Sequence, residues 1–244
     1  MKDLASHINP FLDSLNKDSH DYHKKALELC HIGKFLSLID ENYNIKTLRE
    51  IPDCIISNQT DEIGLEHETL TEHQSKIIEG SIQRVFSLAE KEYLKNNPDS
   101  KFLMNIWIKE SCLSFKKSEK KKIINEIINV ISFYVNKGFV VENEIIDTIS
   151  MMKHSKLSLN PNLGAWCQRR LDYDLLKDAI NKKERLLNSY KSNSGLNNQW
   201  LLIVIGSLGD SSFEIMDSFD KSIDSDFSRV YLMEDFNSKI YRIK

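Results

Sequence analysis

The sequence predicts an α/β protein with a mixed central β-sheet flanked by helices, on three observations. Apolar stripes at three- and four-residue spacing recur along the chain and mark helices. Short runs rich in Ile, Leu and Val lie between them and mark strands. Two such runs follow one another early, with only a polar turn between them, while later strands are bracketed by helices. A hairpin is antiparallel and a helix-bracketed strand is commonly parallel, so the sheet contains both pairings.

Residues 20–40 read as a helix, with Leu27, Cys30, His31, Leu36, Leu38 and Ile39 at roughly helical spacing. The run 51–57 reads as a strand opened by Pro52, where a missing N–H is tolerated. A polar turn at 58–62 leads to a second strand, 63–70. Residues 72–96 form the clearest helix: Ile78, Ile82, Val85, Phe86, Ala89, Tyr93 and Leu94 make one stripe, and Asn97-Pro98 ends it. The run 101–109 has little alternation and reads as a central strand. Lys116–Lys122 opens another helix, and 139–160 holds one or two short strands. A helix over 172–191, a buried strand over 199–206 and strands at 228–234 and 239–243 complete the chain. There is no internal repeat, and the expectation is one domain spanning 1–244.

Composition narrows the function classes. The net charge is −3 and the pI about 6.2, so no global basic excess advertises nucleic-acid binding, although a local groove can still be basic. Eight Gly and four Pro in 244 residues argue against long linkers. The cysteines Cys30, Cys54, Cys112 and Cys167 have no metal-motif spacing and read as buried free thiols of a reducing compartment. Residues 1–18 lack the apolar core of a secretory leader, and no apolar run has membrane-spanning length. The expected location is the cytoplasm, with no membrane partner.

The chemistry concentrates in Asp53 and the run Gly64-Leu65-Glu66-His67-Glu68. Strand residues two apart share a face, so Glu66 and Glu68 project together, and the hairpin brings Asp53 close to them. Three converging carboxylates repel one another and call for a cation. Mg2+ or Mn2+, which take oxygen ligands, suit such a site, with Asp53, Glu66 and Glu68 as ligands. A cation held this way can activate water and shield a phosphodiester under attack.

The pattern Pro52-Asp53 followed by Glu66-x-Glu68 on the next strand resembles the PD-(D/E)XK nuclease superfamily, as does the order helix, hairpin, long helix, strand. Ile180-Asn-Lys-Lys183, Tyr190 and Gln199-Trp-Leu-Leu-Ile resemble a stretch that recurs in uncharacterised bacterial nuclease-like proteins. Together the two stretches span the chain from about residue 20 to its end. The resemblance implies a restriction-endonuclease-like core, Mg2+- or Mn2+-dependent hydrolysis of DNA or RNA, and catalytic roles for Asp53, Glu66, Glu68 and Lys183. The superfamily usually has lysine where this chain has Glu68. Three readings stay open: Glu68 serves in its place, the lysine has migrated to Lys183 or Lys76, or the fold only binds. Glu28 matches the helix-borne acid that the superfamily often adds, and Tyr190 accompanies Lys183. The alternative function is a non-catalytic interaction protein on a nuclease scaffold, with a protein partner, in a bacterial defence or mobile-element system.

Other signals are weaker. The stretch from His67 to His73 is too long for the paired histidines of a zinc protease. His20 and His23 lie near one turn apart and suit either a metal or an exposed helix start. Gly206-Ser-Leu-Gly209-Asp210, before an apparent helix, lacks the P-loop Lys-Ser/Thr and reads as a turn. The Lys116–Lys122 run suits a solvated helix start or a phosphate-tracking patch.

Overall fold

The structure is a computed structural model, and it describes residues 4–19, 21–112, 114–163, 169–206, 209–215 and 222–244. His20, Cys167 and part of the 206–210 turn lie outside the described residues. In chain order the elements are α1 (Leu4–Leu12), α2 (Tyr22–Leu38), β1 (Asn44–Leu48), β2 (Cys54–Ser57), β3 (Glu62–Thr69), α3 (His73–Asn96) and β4 (Phe102–Ile108). There follow α4 (Lys120–Lys137), β5 (Ile146–Lys153), β6 (Ser158–Asn162), β7 (Arg169–Arg170), α5 (Tyr173–Glu184) and α6 (Leu187–Ser194). The last are β8 (Gln199–Ile205), β9 (Phe213–Glu214), β10 (Arg229–Glu234) and β11 (Lys239–Arg242). This is the mixed α/β class that the sequence predicts. Among the described residues no helix is long and apolar enough to cross a membrane.

The chain divides into two compact units, one of Met1–Thr71 with Gln168–Lys244 and one of Glu72–Cys167. The first carries a six-stranded sheet in the order β1-β2-β3-β8-β10-β11. β3–β8 and β8–β10 pair in parallel, and the remaining pairs are antiparallel. β8 lies at the centre and is buried along its whole length. Its side chains alternate between two cores. Trp200, Leu202 and Val204 meet Leu29, Ile32, Phe35 and Leu36 of α2, while Leu201, Ile203 and Ile205 pack with Leu176 and Ile180 of α5 and Leu187 and Tyr190 of α6.

Register carries this alternation into β3. Glu66 pairs with Leu201 and Glu68 with Ile203, so both acids share the α5/α6 face. His67 pairs with Leu202 and faces α2 instead. The β2–β3 hairpin forms as expected, with Cys54 opposite Leu65. Gly64 is required by a close approach: a Cβ there would sit 2.1 Å from Gln199 Oε1 on β8.

In the second unit, β4 is central in its own three-stranded sheet, order β5-β4-β6, and does not join the six-stranded one. Ile82, Val85, Phe86 and Ala89 of α3 and Ile127, Val130 and Ile131 of α4 pack on its Met104 and Ile106. Glu72 caps α3 by accepting the Gln74 and Ser75 N–H groups. Three further departures from the sequence reading are local. The helix expected over 172–191 is two helices, α5 and α6; α1 and β1 add elements that periodicity does not reveal; and residues 213–214 form a short strand, while 216–221, where the apparent helix after the 206–210 turn would continue, lie outside the described residues.

Candidate metal and catalytic site

One pocket of about 450 Å³ in the first unit is lined by Lys24, Glu28, Asp53, Glu66, His67, Glu68 and Lys183, together with Leu27 and Thr69. Asp53, Glu66, Glu68, Lys183 and Glu28, all singled out from the sequence, therefore share one cavity. Tyr190 stands behind it. Its hydroxyl donates to Glu66 Oε1 at 3.1 Å. Lys76, the other lysine considered, lies on α3 beside Glu79 at 3.6 Å and belongs to the other unit. His23 and His73 are exposed.

The local fold explains the convergence. Period-two alternation on β3 aims Glu66 and Glu68 at α5, where Lys183 lies one turn beyond the buried Ile180. The Lys183 ammonium donates to Glu66 Oε1 at 2.8 Å and stands 2.9 Å from Glu68 Oε2. It also reaches the His67 carbonyl at 3.4 Å. Asp53 ends the loop before β2, and its Oδ2 accepts the His67 N–H at 2.7 Å. α2 contributes from the opposite face. Lys24, Glu28 and His31 follow one another at four- and three-residue spacing and share one side of that helix.

The electrostatics are strained toward neutralisation. Four carboxyl groups meet two ammonium groups in the pocket lining. Burial, and then the charges of Glu66 and Glu28, push the Asp53 pKa up to about 8. Burial also raises Glu28, with Lys24 opposing. Burial lowers the Lys183 pKa, but Glu66 and Glu68 outweigh it, so the net direction is upward and the ammonium is fixed. The Tyr190 hydroxyl is raised by burial and by Glu66. Glu66 is the most buried of the pocket's acids, and among the described residues its buried Oε2 finds no hydrogen-bond partner. An orphaned carboxylate oxygen in such a place is costly unless something positive meets it.

The sequence reading did not single out His67 or His31. Glu28, Asp53 and His67 each bring one ligand atom within 4.8 Å of the others. Burial, and then His31 and Lys183, lower the His67 pKa to about 3, so its ring is neutral, the form that binds metals. His31 Nδ1 lies 3.0 Å from His67 Nε2. The signal was present in the sequence as the one-turn spacing of Glu28 and His31 and the position of His67 between the two acids. The buried Cys54 beneath Asp53 is a free thiol raised well above its usual range by burial, so it is inert. Compared with protein-family models, with curated proteins and with solved structures, the chain finds no match.

Proposed function

We propose that this pocket binds a divalent cation, Mg2+ or Mn2+, and that the protein is a metal-dependent nuclease acting on DNA or RNA. The observation that carries the reading is a cavity where four carboxyls face two ammonium groups, lined by Glu66, whose buried Oε2 has no hydrogen-bond partner among the described residues. The donor set suits a hard or borderline dication, because it is dominated by carboxylate oxygen. When bound, such an ion activates a water and screens the charge of a phosphodiester.

The chain's own groups divide the remaining work. Asp53 and Glu66 each commit one oxygen to the protein, Oδ2 to the His67 N–H and Oε1 to Lys183 and Tyr190, which leaves each a second oxygen for a cation. Glu68 has a side chain 31% exposed and is the carboxylate best placed to take a proton from water at the pocket mouth. Lys183 holds Glu66 and Glu68 apart from each other's charge and supplies positive potential where a phosphate would sit. Lys24, also in the lining, adds a second positive group. The test is cleavage of plasmid, single-stranded DNA and RNA with Mg2+ or Mn2+. Wild type should cleave at least one, and Asp53→Asn should lower the rate by about 100-fold or more. A wild type inert toward all three with both metals would remove the catalytic claim.

A second reading has one observation behind it. Lys183 alone already bridges Glu66 and Glu68, as it would in a scaffold that binds a partner without catalysis. Calorimetry separates the two, because a site that takes up no Mn2+ favours the interaction protein.

A further inference from the structure

We propose that His67, backed by His31 and Asp235, is a nitrogen ligand of the pocket's cation, completing a Glu28–Asp53–His67 set that prefers a first-row transition dication to Mg2+. The proposal rests on the cation reading above and adds the donor that decides which cation. Its geometric basis is the approach of three ligand atoms, from α2, from the loop before β2 and from β3, to within 4.8 Å of one another. The independent sign of a missing positive partner is Glu66, which lines the same cavity and whose buried Oε2 has no hydrogen-bond partner among the described residues.

The support behind His67 is a chain of polar groups. Its Nε2 lies 3.0 Å from His31 Nδ1. His31 Nε2 lies 3.9 Å from Asp235 Oδ2, and Asp235 is itself fixed by Lys34 at 2.9 Å. The contact with His31 commits Nε2, so Nδ1 is the nitrogen left for the pocket. Two proton arrangements satisfy the pair. If His31 donates to His67, the bare His31 Nε2 faces the Asp235 carboxylate and His67 carries its proton on Nδ1, where it blocks a cation. If His67 donates to His31, the His31 Nε2–H faces Asp235 and His67 Nδ1 keeps a lone pair for a cation. Asp235 favours the second arrangement, in which His67 Nδ1 is free to join Glu28 and Asp53 around a cation. A carboxylate behind a ligating histidine fixes the tautomer and orientation in this way.

Imidazole nitrogen favours borderline ions over Mg2+, which demands oxygen. Ligand softness therefore gives Mn2+, Fe2+, Co2+ or Zn2+ the advantage, and Mn2+ is the usable probe. His31 and Asp235 are positioning residues, since neither is part of the ligand set.

The experiment is pulsed paramagnetic resonance of the full chain loaded with Mn2+, with calorimetric titration of Mn2+ against excess Mg2+. The expected result is nitrogen-14 coupling to bound Mn2+ in wild type, its loss in His67→Gln, and Mn2+ binding that tenfold more Mg2+ does not displace. His31→Gln should keep the coupling and weaken Mn2+ binding about tenfold or more, with little change toward Mg2+. If His67→Gln does not fold, judged by circular dichroism, His67→Asn and the His31→Gln titration carry the test. Bound Mn2+ without nitrogen coupling, or with coupling that survives loss of His67, overturns this proposal and leaves the cation reading standing. No Mn2+ uptake at all overturns both.

Discussion

Replacing Lys183 by methionine keeps most of the stem and deletes the charge, and the structure sets the size of the effect. The ammonium is 2.8 Å from Glu66 and 2.9 Å from Glu68, with side-chain exposures of 14%, 8% and 31% for the three residues. An exposed pair of this kind contributes about 0.2–1 kcal/mol. Breaking a buried pair costs about 3–5 kcal/mol, because a charge is left without compensation. Glu66 belongs to the second class and Glu68 lies between them. Tyr190 still donates to Glu66 after the change, which places the expected loss near the lower end, about 3 kcal/mol at neutral pH. The assay is urea denaturation of wild type, Lys183→Met, Glu66→Gln and the double variant. The double variant should recover about 2 kcal/mol relative to the additive expectation, because the stranded charge is gone. Saturating Mn2+ should stabilise Lys183→Met more than wild type. A loss below about 1 kcal/mol, or strictly additive variants, would mean that no buried charge network organises this pocket.

Three further outcomes follow from the same geometry. The folded Asp53 pKa is raised from 3.8 to about 8, so between those values the folded state holds a proton that the unfolded state has lost. Metal-free protein should therefore lose stability as pH rises through that window, and Asp53→Asn should flatten the dependence; urea midpoints at pH 5, 7 and 9 check it. For the same reason Mn2+ uptake near pH 7 should release protons, measurable as a buffer-dependent binding enthalpy. Gly64→Ala should cost about 1–3 kcal/mol in a thermal or urea melt, because the added methyl meets Gln199, whose amide is held by Ser194 and Leu196.

The pocket was legible where a simple period governs geometry. Alternation puts Glu66 and Glu68 on one face of β3, and helical spacing puts Lys183 inward beside Ile180. The hairpin brought Asp53 along with them. What periodicity cannot report is which strand pairs with which. The run 101–109 reads as central and is central, yet in a separate sheet. β1 escaped notice because, as an edge strand, it buries only Ile45 fully and carries an irregularity between Ile45 and Thr47. The break between α5 and α6 has no proline or glycine to announce it. His31 read as one member of an apolar helical face, and only the packing of α2 on the sheet brings it to His67.

Diffraction from a Mn2+-soaked crystal at the manganese edge decides whether a dication belongs in this pocket. One strong anomalous peak is expected at bonding distance, about 2.2 Å, from an Asp53 oxygen, with Glu28, Glu66 or His67 completing the contacts. A pocket with no peak at saturating Mn2+, and with the Lys183 ammonium still seated on Glu66 and Glu68, would contradict it.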